Sequence, residues 1–199
     1  MKRVPPIDLH AHIEADIAAS DLSELRSLIF AATRSLDDAE QALGRSDPWT
    51  IWGVGCHPGL VGVQKAFDPV RFAELILKTA YVSEVGLDGT SRLPLQAQKG
   101  TFDSILRTLQ ASPRITSIHS NAATETVLNC LTARPIHGAV LHWWFPGYDR
   151  EYSELAPGWI LLRELLAAAP TMGITRIDLG PGEEDYKLKA MTGSIVVCQ

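Results

Sequence analysis

The sequence predicts an α/β fold of the (β/α) type, TIM-barrel-like, and three observations support this class. Short runs rich in Val and Ile alternate with longer segments of helical spacing, the pattern of parallel strands joined by right-handed crossovers. Polar side chains gather where the strand-like runs end. The 199 residues, 46% of them hydrophobic, are enough for one substantial core or two small ones.

The predicted strands are the short apolar runs around Val4–Leu9, Leu28–Ala32, Thr50–Gly55, Tyr81–Val85, Ile115–His119, Ala139–Trp144 and Ile174–Leu179. The predicted helices between them are Asp21–Leu25, Leu36–Leu43, Pro69–Lys78, Leu95–Gln110, Ala122–Leu131 and Pro157–Ala168. One start signal is explicit, since Asp68 precedes Pro69 in "FDPVRF" and would cap a helix with proline in its first turn. Seven strands and six helices in alternation therefore predict a barrel-like sheet.

Composition narrows the function classes. The formal net charge of −5 provides no global field for a polyanion, so a nucleic-acid substrate would need local groups or bound cations. The three cysteines have no framework spacing, which argues against a disulfide-stapled secreted domain. No apolar segment approaches the roughly 18 residues of a membrane span. These features predict a soluble, cytoplasmic protein without membrane partners.

Five predicted strands end in conspicuous polar sequences: "DLHAH", "GCHPG", "SEVGLDG", "SIHS" and "VLHWW". In parallel α/β folds ligands bind at the carboxyl ends of the strands, and in a (β/α) barrel these ends form one ring. The five strand ends therefore predict one site.

The first of these ends places Asp8, His10 and His12 on one face of a strand, because side chains alternate across it. Two imidazoles about 7 Å apart along the strand can hold one metal ion if the strand end bends. The alternative is a strand with an exposed polar face, and the other four polar ends favour the metal site.

Glu84 also ends a strand-like run, and a carboxylate there can bridge two cations about 4 Å apart. The alternative is a carboxylate that caps the next helix. Asp88 follows on the turn, where it would either hold a metal ligand in position or simply begin the loop.

Three more histidines follow strand-like runs. His119 and His142 each close an apolar run, and a buried histidine needs partners for its nitrogens, either metal or protein groups. His57 lies between Gly55 and Gly59, whose backbone allows a close approach, so it is predicted to contact substrate or phosphate. Carboxylate and imidazole ligands of this kind suit metal-assisted hydrolysis by a cation-activated water.

These five segments, in this order, resemble the TatD family of metal-dependent deoxyribonucleases, within the amidohydrolase-like barrels. "IDLHAH" is similar to the family's D-x-H-x-H, "GCHPG" to G-x-H-P and "SEVGLDG" to G-E-x-G-L-D. "SIHS" and "GAVLHWW" are similar to its histidine-bearing fifth and sixth strand ends. The resemblance covers about residues 3–144.

The resemblance implies roles for individual residues. His10 and His12 would bind one cation, Glu84 would bridge two, and His119 with His142 would complete the second site. Asp178, in "ITRIDLGPG", stands where the family has a late aspartate that binds metal and handles the attacking water. Glu84 and Asp178 are therefore the expected catalytic residues. The expected cofactors are two divalent ions, Mg, Mn or Zn, and the expected substrate is DNA or a small phosphoester.

The segment after His142 departs from the family, which has a Thr-Asp strand end and closes eight strands. It resembles the end of CelD-type acetyltransferase-like proteins, with "APG" at the start of a helix and "PGEEDYK" after it. The alternative for "PGEEDYK" is a solvated acidic loop. We therefore expect a TatD-like barrel portion over residues 1–144 and an atypical segment over 145–199, a fusion that packs as the last α/β elements.

An incompletely closed barrel after strand six would leave strand edges and apolar surface exposed, which favours a homo-oligomer or a partner protein. Two alternatives to a TatD-type hydrolase follow from the same segment. One is a metal-binding remnant or partner subunit without turnover, and the other is an acetyltransferase-like protein.

Overall fold

The structure is a computed structural model that describes residues 5–142, 150–180 and 185–194. Its strands are β1 (Ile7–Ala11), β2 (Leu28–Ala31), β3 (Thr50–Trp52), β4 (Val54–Gly55), β5 (Tyr81–Gly86), β6 (Ile115–His119), β7 (Ala139–His142) and β8 (Ile174–Asp178). Its α-helices are α1 (Ala19–Glu24), α2 (Leu36–Leu43), α3 (Val61–Lys65), α4 (Pro69–Leu75), α5 (Leu95–Ala111), α6 (Thr124–Ala133), α7 (Pro157–Ala168) and α8 (Asp185–Ala190). Two short 3-10 helices cover Ile76–Lys78 and Arg150–Leu155.

The chain divides into two compact units, residues 1–130 and 131–199. In the first unit β1, β2 and β3 form one parallel ladder, and β4, β5 and β6 form another. Only Gly53 separates β3 from β4, and its N–H donates to the Ala31 carbonyl at 2.9 Å. The two ladders therefore continue each other, and five strands run parallel in chain order.

This order is that of an arc of a (β/α) barrel, in which each crossover returns the chain beside the preceding strand. None of the ladders closes on itself within the described residues. The predicted fold class, α/β and TIM-barrel-like with incomplete closure, is confirmed.

Helix α5 shows why the first unit packs as it does. Its buried positions Gln98, Phe102, Ile105 and Leu109 recur every three to four residues, so one face of the helix lies in the core. Gln98 is buried but fully used, since its amide nitrogen donates to the Asp88 and Leu93 carbonyls and its oxygen accepts from the Asp88 N–H. The helix thereby fixes the loop that follows β5.

The second unit contains a parallel pair, β7 and β8, with α7 and α8. Helix α7 begins at Pro157, directly after Ala156, whose φ of +48° is a left-handed conformation. No helix among the described residues is long and apolar enough to cross a membrane.

Most predicted elements lie within two or three residues of the observed ones, and the Asp68 cap of α4 is confirmed. The prediction missed α3 and α8, which have only five and six residues.

For "PGEEDYK", the loop alternative is wrong over Asp185–Lys187, which begin α8, while residues 181–184 lie outside the described residues. Val4, Trp143 and Trp144, predicted in strands, also lie outside them. The domain boundary at residue 144 stays a prediction, and the compact units divide after residue 130.

Candidate metal centre

Glu84 occupies an unusual backbone position in β5. Its φ is +46°, which is sparsely populated for any residue with a side chain. The register between β5 and β6 shifts between Val82 and Val85, so Glu84 lies at a bulge. Strained conformations of this kind cost about 1–3 kcal/mol and concentrate at functional sites. The bulge redirects the Glu84 side chain, which is 8% exposed, towards a cluster of imidazoles.

Four histidines surround the Glu84 carboxylate, two at each oxygen. Oε1 lies 2.6 Å from His10 Nε2 and 3.8 Å from His12 Nε2. Oε2 lies 3.1 Å from His57 Nε2 and 3.4 Å from His119 Nδ1. The result is two three-residue groups that share Glu84, with the ligand atoms of each group within 4.8 Å of one another.

The curvature of the first unit brings these residues together. His10 lies on β1 and Glu84 on β5, and β2 and the β3–β4 strand stand between them in the ladder order. A flat sheet would separate side chains three strands apart by about 14 Å. The 2.6 Å contact therefore requires the strands to curl as in a barrel.

Charge and burial act in opposite directions at Glu84. Burial raises its pKa, but hydrogen bonds with His10 and His119 and the neighbouring imidazoles together hold the pKa well below its usual range. Burial lowers the pKa of His57, whereas the hydrogen bond with Glu84 raises that of His119. The centre thus combines an ionised carboxylate with a neutral imidazole at His57, both suitable for a cation.

Two further side chains contact the outer nitrogens of this cluster. The Tyr81 hydroxyl lies 2.8 Å from His10 Nδ1. Asp88 Oδ2 lies 3.4 Å from His119 Nε2, which is buried and makes no hydrogen bond of good geometry in the described structure. Hydrogen bonds from Thr90 hold the pKa of Asp88 below its usual value, although burial opposes them.

The donor set fits divalent metal ions. Imidazole nitrogen and carboxylate oxygen together suit Zn, Mn and related cations. The ligand atoms already converge, and the buried Nε2 atom of His119 has no hydrogen-bond partner of good geometry among the described residues. We therefore assign the Glu84 cluster as the candidate metal centre.

The structure brings four predicted site residues into this cluster, namely His10, His12, Glu84 and His119. His57, predicted as a substrate contact, lies equally close, and that role stays a prediction. His142 and Asp178 are register partners on β7 and β8 in the second unit, with His142 Nδ1 3.6 Å from Asp178 Oδ2. Their roles as ligands and that of Asp178 in catalysis also stay predictions.

Sequence reasoning missed Tyr81, which begins an apolar run and resembles an ordinary core residue. For Asp88 the sequence left two alternatives, a residue that holds a ligand in position or the first residue of a loop. Asp8, predicted on the face of the two histidines, uses Oδ1 to accept the His10 backbone N–H at 3.1 Å.

Comparison with known proteins places the chain in a family. A sequence profile described as "TatD related DNase" matches residues 7–160, more than three-quarters of the chain. The chain belongs to the TatD family. The predicted resemblance to this family is thus confirmed. A second profile, described as "Acetyltransferase (GNAT) domain", matches residues 133–188 of this TatD family member.

Among solved structures, the fold is similar to that of YjjV, a TatD homologue from Escherichia coli K12, with a TM-score of 0.59 at 16% sequence identity. The match covers 86% of this chain and 66% of that protein, so this TatD chain spans about two-thirds of its length. At this identity the likeness concerns the fold. No curated protein matches the chain in sequence.

Proposed function

We propose that this TatD-family chain hydrolyses phosphodiester bonds of DNA with the help of two divalent cations. One observation carries the proposal: each oxygen of the buried Glu84 carboxylate faces its own pair of imidazoles. A carboxylate placed between two ligand groups is suited to bridging two ions.

His10, His12 and Glu84 Oε1 would hold one cation, and His57, His119 and Glu84 Oε2 the other. The sequence adds His142 and Asp178 as further ligands. When bound, such cations neutralise charge on the phosphoryl oxygens and lower the pKa of a water molecule. Mg, Mn and Zn are the expected ions, since carboxylate and imidazole suit several of them.

The chain's own residues would position the reactants. The Glu84 side chain is buried and its backbone has a positive φ, and both features fix the carboxylate between the two ligand groups. Asp178 is proposed as the group that accepts the proton of the attacking water. The Gly180 N–H donates to Asp178 Oδ1 at 2.9 Å and holds that carboxylate at the end of β8.

One arginine in the loops after the strands is placed to bind an anionic substrate. In the first unit these loops contain two positively charged residues, Arg34 after β2 and Arg92 after β5. The Arg34 carbonyl accepts the His57 N–H at 2.9 Å, which fixes its backbone beside the cluster. An arginine at this place is suited to a phosphate, because guanidinium groups bind phosphates through paired hydrogen bonds.

The test is metal-dependent hydrolysis of single- and double-stranded DNA by purified protein, with metal content measured directly. We expect hydrolysis with Mg, Mn or Zn, its loss in EDTA, and its loss in Glu84→Gln. Glu74→Gln, which makes the same charge change on the exposed surface of α4, serves as the control. A folded protein that fails to cleave DNA with any of the three metals would contradict the proposal.

A second candidate is a metal-binding subunit without turnover. It is favoured by the segment after His142, which has no Thr-Asp strand end like that of the family. Metal bound at the Glu84 cluster without hydrolysis would support this function. Asp178→Asn tests a separate point, namely the proposed base. If the parent is active and this variant keeps full activity, Asp178 is not the base.

A further inference from the structure

We propose that the two cation sites of Glu84 are unequal, and that Asp88 makes the His57–Glu84–His119 site the tighter one. The inference rests on the proposed two-cation centre and adds an order of loading to it. It follows from the side chains that contact the outer ring nitrogens of His119 and His10, which are Asp88 and Tyr81.

His119 lies between two carboxylates. Its Nδ1 is 3.4 Å from Glu84 Oε2, and its Nε2 is 3.4 Å from Asp88 Oδ2. If Nδ1 binds a cation, the opposite N–H faces an anionic oxygen. A carboxylate in that position fixes the tautomer of a metal-binding histidine and increases its basicity.

Asp88 is held for this role by the loop after β5. Its Oδ1 accepts the Thr90 N–H at 2.8 Å, the Thr90 hydroxyl at 2.6 Å and the Asn121 amide at 3.2 Å. These bonds leave Oδ2 directed towards His119. Gln98 binds both backbone groups of Asp88, so the residue is fixed before any cation arrives.

Gly59 keeps the space around Asp88 Oδ2 open. A Cβ atom at Gly59 would lie 3.0 Å from Asp88 Oδ2 and 3.0 Å from His57 Cε1. Such distances are tighter than ordinary van der Waals contact, so a side chain there would press on a ligand and on the group that supports another ligand. The absence of a side chain at Gly59 therefore suits the supported geometry.

The other site has a neutral support. His10 Nδ1 lies 2.8 Å from the hydroxyl of Tyr81, a buried residue. A phenol orients the ring as a carboxylate does, but it adds no negative charge. His10 is 23% exposed, much like His57 and His119 at 19% and 22%, so the difference in burial between the two sites comes from His12, which is 56% exposed.

These differences act in the same direction. An extra anion attracts a cation, and burial reduces the screening of that attraction by water and salt. The partly buried rings of His57 and His119 also lose less conformational freedom on binding than the exposed ring of His12 does. The site backed by Asp88 should therefore load first, and the site backed by Tyr81 should load second.

The test is calorimetric titration of metal-free protein with Mn²⁺, supported by electron paramagnetic resonance of the bound ion. We expect two binding steps in the wild type. Asp88→Asn should weaken the tighter step by about 10–100-fold, the usual effect of losing such a support, and leave the weaker step unchanged. Tyr81→Phe should weaken the second step alone.

Glu74→Gln and Tyr152→Phe are the matched controls, since both residues are exposed and neither belongs to the cluster, and both variants should leave the two steps unchanged. If Asp88→Asn fails to fold, Thr90→Val tests the same support at an exposed residue outside the two ligand groups, because it removes the hydroxyl that donates to Asp88 Oδ1; it should weaken the tighter step alone. Two equal steps in the wild type, or an unchanged tighter step in the folded Asp88 variant, would overturn the inference while the two-cation centre stands. A wild type that binds no Mn²⁺ would overturn both.

Discussion

At the scale of single residues, Arg34 is the side chain that we expect to bind a phosphate of the proposed substrate. Its guanidinium lies 2.6 Å from Glu14 Oε1, and both side chains are exposed. An exposed ion pair contributes little stability, so a phosphate can replace the carboxylate at low cost. Glu14 would then act as a weak competitor for the substrate.

Arg34→Ala should raise KM for DNA about 10-fold, which corresponds to the loss of one charge-assisted contact, with little change in kcat. Glu14→Gln should lower KM, because it frees the guanidinium. Steady-state kinetics at two salt concentrations measure both effects, and Arg34→Ala should also reduce the salt dependence.

Arg107→Ala is the control for Arg34, since Arg107 is an exposed arginine of α5 that pairs with Asp103 on the same helix. An equal rise in KM in both variants would indicate a general charge effect and contradict a specific phosphate contact at Arg34.

The sequence could predict that certain site residues lie close together, namely those at the carboxyl ends of parallel strands. His10, Glu84 and His119 end or follow apolar runs, and parallel pairing brings such ends together. Tyr81 could not be predicted, because its contact with His10 depends on the curl that places β1 opposite β5. The left-handed bulge at Glu84 was equally hidden, since nothing in the residue type demands it.

At the scale of elements, Gly53 determines how β3 continues into β4. A Cβ atom there would lie 2.5 Å from Tyr81 Cδ1 and 2.7 Å from Ser83 Oγ, both buried groups of β5. Gly53→Ala should therefore lower the free energy of unfolding by about 1–3 kcal/mol through overpacking, and displace Tyr81 from His10. Urea unfolding measures the first effect.

Gly100→Ala provides the comparison for Gly53. Gly100 lies inside α5 with open space around its Cβ position, so alanine should stabilise the helix by about 0.5–1 kcal/mol. If Gly53→Ala were as well tolerated as Gly100→Ala, the close packing of β5 against Gly53 would be wrong.

A second element-scale feature is the loop between α2 and β3. Asp47 is nearly fully buried and accepts hydrogen bonds from Arg45 Nε at 2.7 Å, Arg45 Nη2 at 3.0 Å and Trp52 Nε1 at 2.9 Å. The Arg45 hydrogen bond holds the pKa of Asp47 below its usual value, with burial opposing it. Arg45 also donates to the Ala15 carbonyl, which ties this loop to the segment after β1.

Because the folded-state pKa of Asp47 is lowered, its stabilisation is present above the unfolded value of about 3.9 and is lost as pH falls through the folded value. Asp47→Asn should therefore cost about 2 kcal/mol at pH 7 and progressively less in acid. Urea unfolding of both proteins between pH 7 and pH 3 measures the difference. A difference that is constant over this range would contradict the prediction.

The elements that sequence could predict are the long ones. α5 and α7 have 17 and 12 residues and a clear apolar periodicity, whereas α3 and α8 have too few turns to show one. The break at Gly53 could not be foreseen either, because the run Thr50–Gly55 shows a continuous β pattern.

At the scale of the whole molecule, two family profiles share one chain. The TatD profile covers residues 7–160 and the acetyltransferase profile residues 133–188, so they overlap over 133–160. The second compact unit begins at residue 131, close to the start of the acetyltransferase match. The sequence predicts the junction near His142, because "LHWW" is similar to both families. The compact units divide earlier, after residue 130, because they reflect packing.

This overlap raises the question of whether the second unit retains an acyl-CoA site. The acetyltransferase match covers residues 133–188, which include the parallel pair β7 and β8 and helix α7. Because the sequence resembles only the end of such proteins, we expect the portion that binds the pyrophosphate to be missing. We therefore expect no rise in melting temperature with acetyl-CoA, whereas Mn²⁺ should raise it by stabilising the folded state that binds it. Thermal unfolding of metal-free protein with each ligand at the same concentration tests both expectations. A concentration-dependent rise with acetyl-CoA would contradict the expectation that this segment lacks an acyl-CoA site, and would make acyl transfer the activity to assay next.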